Sequence, residues 1–180
     1  MDAVTSVPLP VNEPIRSYPP GSAERASLEA RIAELAAEQI DLPMTIGGVS
    51  RMGGGAPIDV VQPHRHAAVL GTTRDATTSD VQDAVDASLE AAPDWRAASY
   101  DDRAAVLLRA AELLAGPWRD TLNAATVLGQ SKSVLQAEID AACELIDFLR
   151  FNVAFGRRVL AEQPVSSTCL LYTSPSPRDS

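Results

Sequence analysis

The chain has 180 residues and is 46% hydrophobic, which is enough length and apolar content for one domain with its own core. Its formal net charge of −9 excludes nucleic acid and anionic membrane surfaces as partners, since both are bound through clustered Lys and Arg. No run of about 18 apolar residues predicts a membrane helix, and the first residues lack the features of a signal peptide, so we expect a cytoplasmic protein.

The first third of the chain predicts an extended arm, one helix and several short strands. The arm covers residues 1–22, holds five of the thirteen prolines and shows no periodicity. A helix follows over 23–40, with Ser22 as its N-cap. The apolar face of this helix comprises Leu28, Ile32 and Leu35. Prolines and glycines then separate the runs PMTIGGVS, PIDVVQP and AAVLGTTRDA, which predict hairpins or an edge sheet.

Three helices are predicted next, from their caps and breakers. The first begins with Ser79 as N-cap and ends before Pro93. The second runs from Ser99 or Asp101 to Gly116. The third has Pro117 in its first turn and ends at Gly129. These boundaries are set by residues that start or stop helices.

A longer helix is predicted from Ser133 to as far as Glu162. Ser133 and Gln136 have the spacing of a capping box, in which each side chain bonds the backbone N–H of the other residue. Apolar residues then recur at spacings of four and three, which predicts one buried stripe. The stripe comprises Leu135, Ile139, Ala142, Ile146, Leu149 and Val153.

Three loops invite a ligand-binding interpretation but have the wrong pattern. GQSKS lacks the glycines of a phosphate loop directly before Lys132 and five residues earlier, so we interpret it as a helix end and a new cap. RMGGGAP at 51–57 is predicted to be a hairpin tip, where glycine permits positive φ. His64 and His66 have no third ligand nearby in sequence, so HRH predicts a polar loop rather than a metal site.

Neither cysteine is a candidate nucleophile. Cys143 lies in the middle of the long helix, next to Glu144 and one turn from Asp140 and Asp147. Acids disfavour a thiolate, and the sequence places no helix N-terminus or cation beside this residue, so we predict a packing role for it. Cys169 lies near the end of the chain, and two cysteines do not make a disulfide framework.

The strongest candidate site is an acidic and aromatic sector of the long helix, which we call the acid face. At about 100° per residue it brings together Asp140, Glu144, Asp147, Phe148 and Phe151. Phenylalanines lose hydrophobic stabilisation in water, so we expect this face to be buried and one of its acids to point into a cavity. The alternative is a pair of solvated acids beside a second packing contact.

GQSKSVLQAEIDAACELIDFLRFN closely resembles a helix of the aldehyde dehydrogenase family, in the branch that oxidises glutamate γ-semialdehyde. NEPIRSYPPGSAER resembles the arm of that branch, DDRAAVLLRAAELLAGPWR its preceding helix pair, and EQPVSS the segment that leads toward its cofactor domain. The resemblance covers roughly residues 12–167. It implies an α/β fold, of which this chain supplies helices and short β-hairpin strands of an incomplete three-layer domain.

The resemblance also implies an activity and one site residue. The activity is NAD-dependent oxidation of L-glutamate γ-semialdehyde, in equilibrium with pyrroline-5-carboxylate, to L-glutamate during proline breakdown. The family's nucleophilic cysteine, its general base and its NAD loops lie beyond residue 167 in family order, so no catalytic or cofactor-binding residue is carried over. Glu144 matches a family glutamate near the substrate, which implies a carboxylate for the substrate ammonium group. The resemblance further implies a homo-oligomer when the protein is full length.

The end of the chain predicts a third segment. CLLYTSPSPRDS resembles the translation of a sequencing-library adapter, so we expect residues 168–180 to be a non-native tail after an N-terminal portion of the domain at 23–167. Two other functions stay open: another aldehyde dehydrogenase with a different substrate, and a non-enzymatic helical interaction module. As a fragment of a dehydrogenase, the chain alone is expected to be inactive.

Overall fold

The computed structural model describes residues 9–162, which form six α-helices, one π-helical segment and five strands. The helices are α1 (Ala23–Ala37), α2 (Thr78–Ala97), α3 (Tyr100–Ala115), α4 (Arg119–Gln130), α5 (Val134–Gln136) and α6 (Glu144–Ala161), and the π-helical segment (Ala137–Cys143) joins α5 to α6 without a break. The strands are β1 (Ile40–Asp41), β2 (Met44–Ile46), β3 (Val49–Arg51), β4 (Pro57–Gln62) and β5 (Arg65–Arg74). The mixture of helices and short strands confirms the predicted class.

Three predicted helix starts are confirmed by their caps. Ser22, Ser99 and Ser133 are the N-caps of α1, α3 and α5, and each hydroxyl accepts a hydrogen bond from the backbone N–H three residues later. Gln136 completes the capping box with Ser133. Each cap satisfies a donor that would otherwise lack a partner at the helix N-terminus.

Helix α2 differs from its prediction at both ends. Its N-cap is Thr77, not Ser79, because Thr77 and Asp80 form a capping box. Hydrogen bonds from the Gly54 and Thr77 backbone N–H groups lower the pKa of the buried Asp80 to about 2. The helix also continues through Pro93 to Ala97 instead of ending before the proline. Pro93 is exposed, so water can bond the carbonyl group that the proline leaves without a donor.

The strands form two separate sheets. β2 and β3 form an antiparallel hairpin, and Gly47 and Gly48 at its turn have φ of 56° and 80°. β5 lies between β4, which is antiparallel to it, and β1, which is parallel. The sequence did not predict β1, because two residues carry no alternating pattern. Gly71 of β5 lies against Ile40, where an added Cβ would come 2.2 Å from the Ile40 carbonyl oxygen.

The glycine loop of RMGGGAP is not a hairpin tip, as was predicted, but a connection from β3 to β4 between the two sheets. None of its three glycines has positive φ. Glycine is needed because the loop lies directly on the Asp75 backbone: an added Cβ on Gly53 would approach the Asp75 carbonyl oxygen to 2.3 Å. Gly55 N–H donates to that carbonyl oxygen at 2.9 Å, which fixes the loop to the start of α2.

Two small apolar clusters hold the helices together. One joins the arm, α1 and α4 through Tyr18, Leu28 and Ala124, and it confirms the predicted α1 face because Ile32 and Leu35 pack against it. The other joins α3 to the long helix through Ala111, Ala142 and Ile146. Alanines in both clusters allow the helix backbones to approach closely. Among the described residues, no helix is both long and apolar enough to cross a bilayer.

Candidate functional site

The structure brings four of the five acid-face residues to one open groove and separates the fifth. The groove has a volume of about 250 Å³ and runs along the first turns of α6. Its lining includes Asn12, Glu144, Asp147, Phe148, Phe151 and Phe155. Asp140 is not part of it and instead pairs with Lys132, with 2.8 Å between Nζ and Oδ2. Asn12 comes from the arm, and no sequence pattern linked it to this helix.

The π-helical segment sets which side chains face the groove. It ends at Cys143, and the N–H of the next residue, Glu144, donates to the Ile139 carbonyl five residues earlier. Each such turn holds an extra residue, so the helix face rotates relative to a continuous α-helix. The predicted stripe is therefore wrong at Leu135, which is 57% exposed, and correct at Ile146 and Val153, which are buried.

The three acids of the acid face differ in what their carboxylates bind. Asp147 accepts hydrogen bonds from Asn12 Nδ2 and from the Glu13 backbone N–H, both at 2.7 Å. Asp140 is paired with Lys132. Within residues 9–162, the Glu144 carboxylate has neither a hydrogen bond nor an ion pair, and it is exposed. Of these acids, Glu144 is thus the one available to a ligand in the groove.

Three phenylalanines and Asn152 form the rest of the groove wall, and the prediction that this face is buried is wrong for the described residues. Phe148 is 61% exposed and Phe155 is 56% exposed. Phe151 is partly buried and lies beside Phe155, with 5.9 Å between the ring centroids. Aromatic faces attract cations, so a carboxylate beside them makes a site suited to an ammonium group with an apolar chain.

Behind the groove lies a buried ionic network that the sequence analysis missed. Arg119 and Glu138 are 2% and 0% exposed and form an ion pair. Arg119 also pairs with Glu13 of the arm and donates to the Pro14 carbonyl at 2.8 Å. Arg150 of α6 holds the second Glu13 oxygen at 2.7 Å. The network therefore fastens the arm to α4 and α6 directly beside the groove.

Glu138 is the centre of this network. Its carboxylate accepts hydrogen bonds from Arg119, from the Arg16 backbone N–H at 2.8 Å, from the Tyr18 hydroxyl at 2.8 Å and from Asn123 Nδ2 at 2.7 Å. Burial alone would raise the pKa of Glu138, but these donors outweigh it and lower the pKa to about 2. Burial and the Glu138 charge raise the pKa of Tyr18 to about 12, so the phenol stays a donor.

A signal for the network was present in the sequence. Glu138 is four residues before Ala142 and eight before Ile146, which places it on the buried side of the helix. Arg119 and Asn123 are four apart on α4 and are both buried. Charged residues at apolar positions of two neighbouring helices indicate a buried pair, because an unpaired charge there would be very unfavourable.

Cys143 is a buried packing residue, as predicted. Burial, together with the neighbouring Glu138 carboxylate, raises the pKa of the thiol to about 11. The relevant acid is Glu138 rather than the three acids named from the sequence, and a cation is also near: Arg119 lies 3.4 Å from the sulfur. At neutral pH this thiol is protonated and is no nucleophile. Cys169 lies outside the described residues.

Several N–H groups of the two loops that were compared with phosphate loops are already engaged. In the loop at 53–55, Gly54 N–H donates to Asp80 and Gly55 N–H to the Asp75 carbonyl, so these donors are engaged and an acid lies beside them. In GQSKS, the Ser133 N–H is bonded to the Gln136 side chain. A phosphate site needs free N–H groups aimed at the ligand, so these three N–H groups are not available to a phosphate.

His64 and His66 do not form a metal site in the described part of the chain. His64 lies in the turn before β5, and its Nδ1 is 2.7 Å from the Ser131 hydroxyl. His66 is an exposed residue of β5. No group of three metal-ligating side chains occurs among residues 9–162. The HRH run thus includes a polar loop contact, as predicted for His64.

The chain matches one protein-family model and several curated relatives. The aldehyde dehydrogenase family model matches residues 50–177, a range that overlaps the segment 168–180 expected to be a tail. Relatives named Delta-1-pyrroline-5-carboxylate dehydrogenase include one from Agaricus bisporus, 40% identical over 90% of this chain, and a mitochondrial one from Mus musculus, 38% identical over 86%. The chain spans 30% and 27% of their lengths.

Solved structures give the same result. The fold is similar to the Delta-pyrroline-5-carboxylate dehydrogenase from Mycobacterium tuberculosis bound with NAD, with a TM-score of 0.89, 61% sequence identity, and coverage of 93% of this chain and 31% of that one. It is also similar to 1-pyrroline-5-carboxylate dehydrogenase from Thermus with bound NAD, with a TM-score of 0.80 and 26% identity over 91% of this chain and 32% of that one. The family and fold expected from the helix motif are thereby confirmed, and the chain belongs to the aldehyde dehydrogenase family.

Proposed function

We propose that this chain is the N-terminal portion of an NAD-dependent dehydrogenase that oxidises L-glutamate γ-semialdehyde to L-glutamate. The observation that carries the proposal is the 61% identity to the Mycobacterium tuberculosis enzyme over 93% of the chain. The residues that react with the aldehyde and those that bind NAD are not among residues 9–162. The part played by the described residues is to bind and orient the substrate.

The groove supports this substrate better than an uncharged aldehyde. The semialdehyde carries an α-ammonium group, and Glu144 offers an unpaired carboxylate beside aromatic rings. Opposite charges attract across a partly apolar wall more strongly than in bulk water. We propose Glu144 as the residue that attracts the ammonium group. A different aldehyde dehydrogenase, acting on an aldehyde without a cationic group, would gain nothing from this carboxylate.

The test is a comparison of two substrates in the full-length protein. Glu144→Ala should raise KM for glutamate semialdehyde by about 3- to 10-fold, which corresponds to the net contribution of one typical hydrogen bond, about 0.5–1.5 kcal/mol, and should leave KM for an uncharged aliphatic aldehyde unchanged. NADH formation gives both constants. Asp140→Ala is the matched control, because Asp140 is an acid of the same helix outside the groove. Equal effects of Glu144→Ala on both substrates would refute the ammonium role.

The chain alone should show no dehydrogenase activity. Several apolar side chains of α2 and α6 are about half exposed or more in it, including Val85, Leu89, Phe148 and Phe155. Exposed apolar faces of this size bind hydrophobic dyes. A non-enzymatic interaction module would instead melt cooperatively and bind little dye.

We also propose a homo-oligomer and a cytoplasmic location for the full-length protein. The mouse relative is named mitochondrial, so cell fractionation is the measurement that tests the proposed location.

A further inference from the structure

The groove contains an uncharged acceptor for a cation on the arm, in addition to the Glu144 and Asp147 carboxylates. Asn12 and Glu144 line the same groove of about 250 Å³. The Asn12 amide nitrogen donates to Asp147 Oδ2 at 2.7 Å. A carboxylate accepts and does not donate, so this contact fixes the amide with its nitrogen toward Asp147. Within residues 9–162, no group donates to the Asn12 carbonyl oxygen, which is left free to accept a hydrogen bond.

The position of Asn12 is fixed by contacts that are largely buried. The next residue, Glu13, bonds Asp147 through its backbone N–H, and its carboxylate binds both Arg119 and Arg150. These partners belong to two different helices, α4 and α6. The arm therefore cannot move away from the groove without breaking two ion pairs. A ligand-binding residue held in this way needs little further ordering when a ligand binds.

We propose that Asn12 is a specificity-determining residue, whose carbonyl oxygen accepts a hydrogen bond from the substrate ammonium group while Glu144 supplies the opposite charge. The three N–H donors of an ammonium point in different directions, so one carboxylate does not satisfy all of them. Asp147 takes part as a positioning residue, because it holds the amide orientation. This inference rests on the proposed oxidation of glutamate semialdehyde.

The test uses Asn12→Leu in the full-length protein, with Val11→Ala as the matched control. Leu keeps the size of Asn but neither donates nor accepts. KM for glutamate semialdehyde should rise by about 3- to 10-fold, with kcat unchanged and KM for an uncharged aldehyde unchanged. Val11 is an exposed arm residue outside this groove, so Val11→Ala should change neither constant.

A double variant separates ligand contact from arm anchoring. If Asn12 and Glu144 bind one ammonium group, Asn12→Leu with Glu144→Ala should raise KM by less than the product of the two single effects. Equal increases in KM for both aldehydes would show that Asn12 only anchors the arm, and would overturn the inference. An unchanged KM in Asn12→Leu while Glu144→Ala still acts would overturn this inference alone. A wild-type enzyme that fails to oxidise the semialdehyde would overturn the proposed function together with it.

Discussion

Removal of Arg119 should destabilise the protein far more than removal of an average arginine. In Arg119→Met the side chain keeps most of its length but loses its charge, while Glu138, at 0% exposed, keeps its three other donors and has no cation. Removing one member of a buried ion pair costs about 3–5 kcal/mol, mainly because the remaining charge stays buried. Glu13 is less affected because it retains Arg150.

The measurement is urea-induced unfolding of the full-length protein followed by circular dichroism, together with hydrogen exchange at the Arg16 amide, which reports on the arm. The control is Arg25→Met. Arg25 pairs with Glu29 on the surface of α1, where the two side chains are 46% and 62% exposed. Such a pair contributes about 0.3–0.5 kcal/mol. Exchange at the Arg16 amide should become much faster in Arg119→Met only, since that N–H bonds Glu138.

A second variant tests the reason for the loss. Glu138→Gln removes the charge but keeps a carbonyl oxygen as an acceptor. Added to Arg119→Met, it should restore part of the lost stability, because an uncharged amide is buried at a much lower cost than a carboxylate. The reasoning would be refuted if Arg119→Met unfolded at the same urea concentration as Arg25→Met, or if the double variant were less stable than Arg119→Met.

Three more predictions concern buried groups and a close backbone contact. The pKa of Glu138 is about 2 in the folded chain against an ordinary 4.5, so the stabilisation that the Glu138 carboxylate gives to the fold is complete above pH 4.5 and is lost as the pH falls toward 2. Hydrogen exchange at the Arg16 amide, followed during an acid titration, should show this loss of stability. Glu138→Gln should abolish the pH dependence. Because the pKa of Cys143 is raised to about 11, the native thiol should react slowly with iodoacetamide at pH 8, and urea should accelerate the reaction; fast native labelling would contradict its burial. Gly71→Ala should lower the free energy of unfolding by about 1–3 kcal/mol and expose the β1 amides to hydrogen exchange, because a Cβ would lie 2.2 Å from the Ile40 carbonyl oxygen. Gly129→Ala is the control and should not destabilise the chain, because the space around Gly129 is open.

Local rules predicted the starts of α1, α3 and α5 because their signals are local, but they were wrong for α4, which begins at Arg119 after Pro117 and not with Pro117 in its first turn. A serine directly before a run of helical periodicity can accept a hydrogen bond from the backbone N–H three residues later, which is why Ser22, Ser99 and Ser133 were identified. The start of α2 also had a local signal in the sequence: Thr77 and Asp80 have the capping-box spacing, and Ser79 lies between them. Choosing the box over the single serine would have predicted the correct start.

The site was predicted only in part, because its geometry depends on two features without a local signal. The acid face was predicted with the 100° rotation per residue of a regular α-helix. The π-helical segment changes the direction in which the side chains around it point, so Asp140 lies outside the groove and Leu135 is exposed. The arm has no periodicity, so nothing in its sequence predicted that Asn12 would bond Asp147, 135 residues later. Contacts at that separation depend on how the helices pack. Glu144 was identified by resemblance, and its role stays a proposal.

The arm contacts also constrain how the protein is made. Glu13 leaves the ribosome long before its partner Arg150, which lies 137 residues further along the chain. At about 5–20 residues per second, this interval lasts roughly 7–27 s. Until residue 119 is made, Glu13 has neither of its arginine partners, although α1 and the hairpins can already form. Nascent chains arrested before residue 119 should therefore leave the arm open to proteases, whereas chains that extend well past residue 150 should protect it.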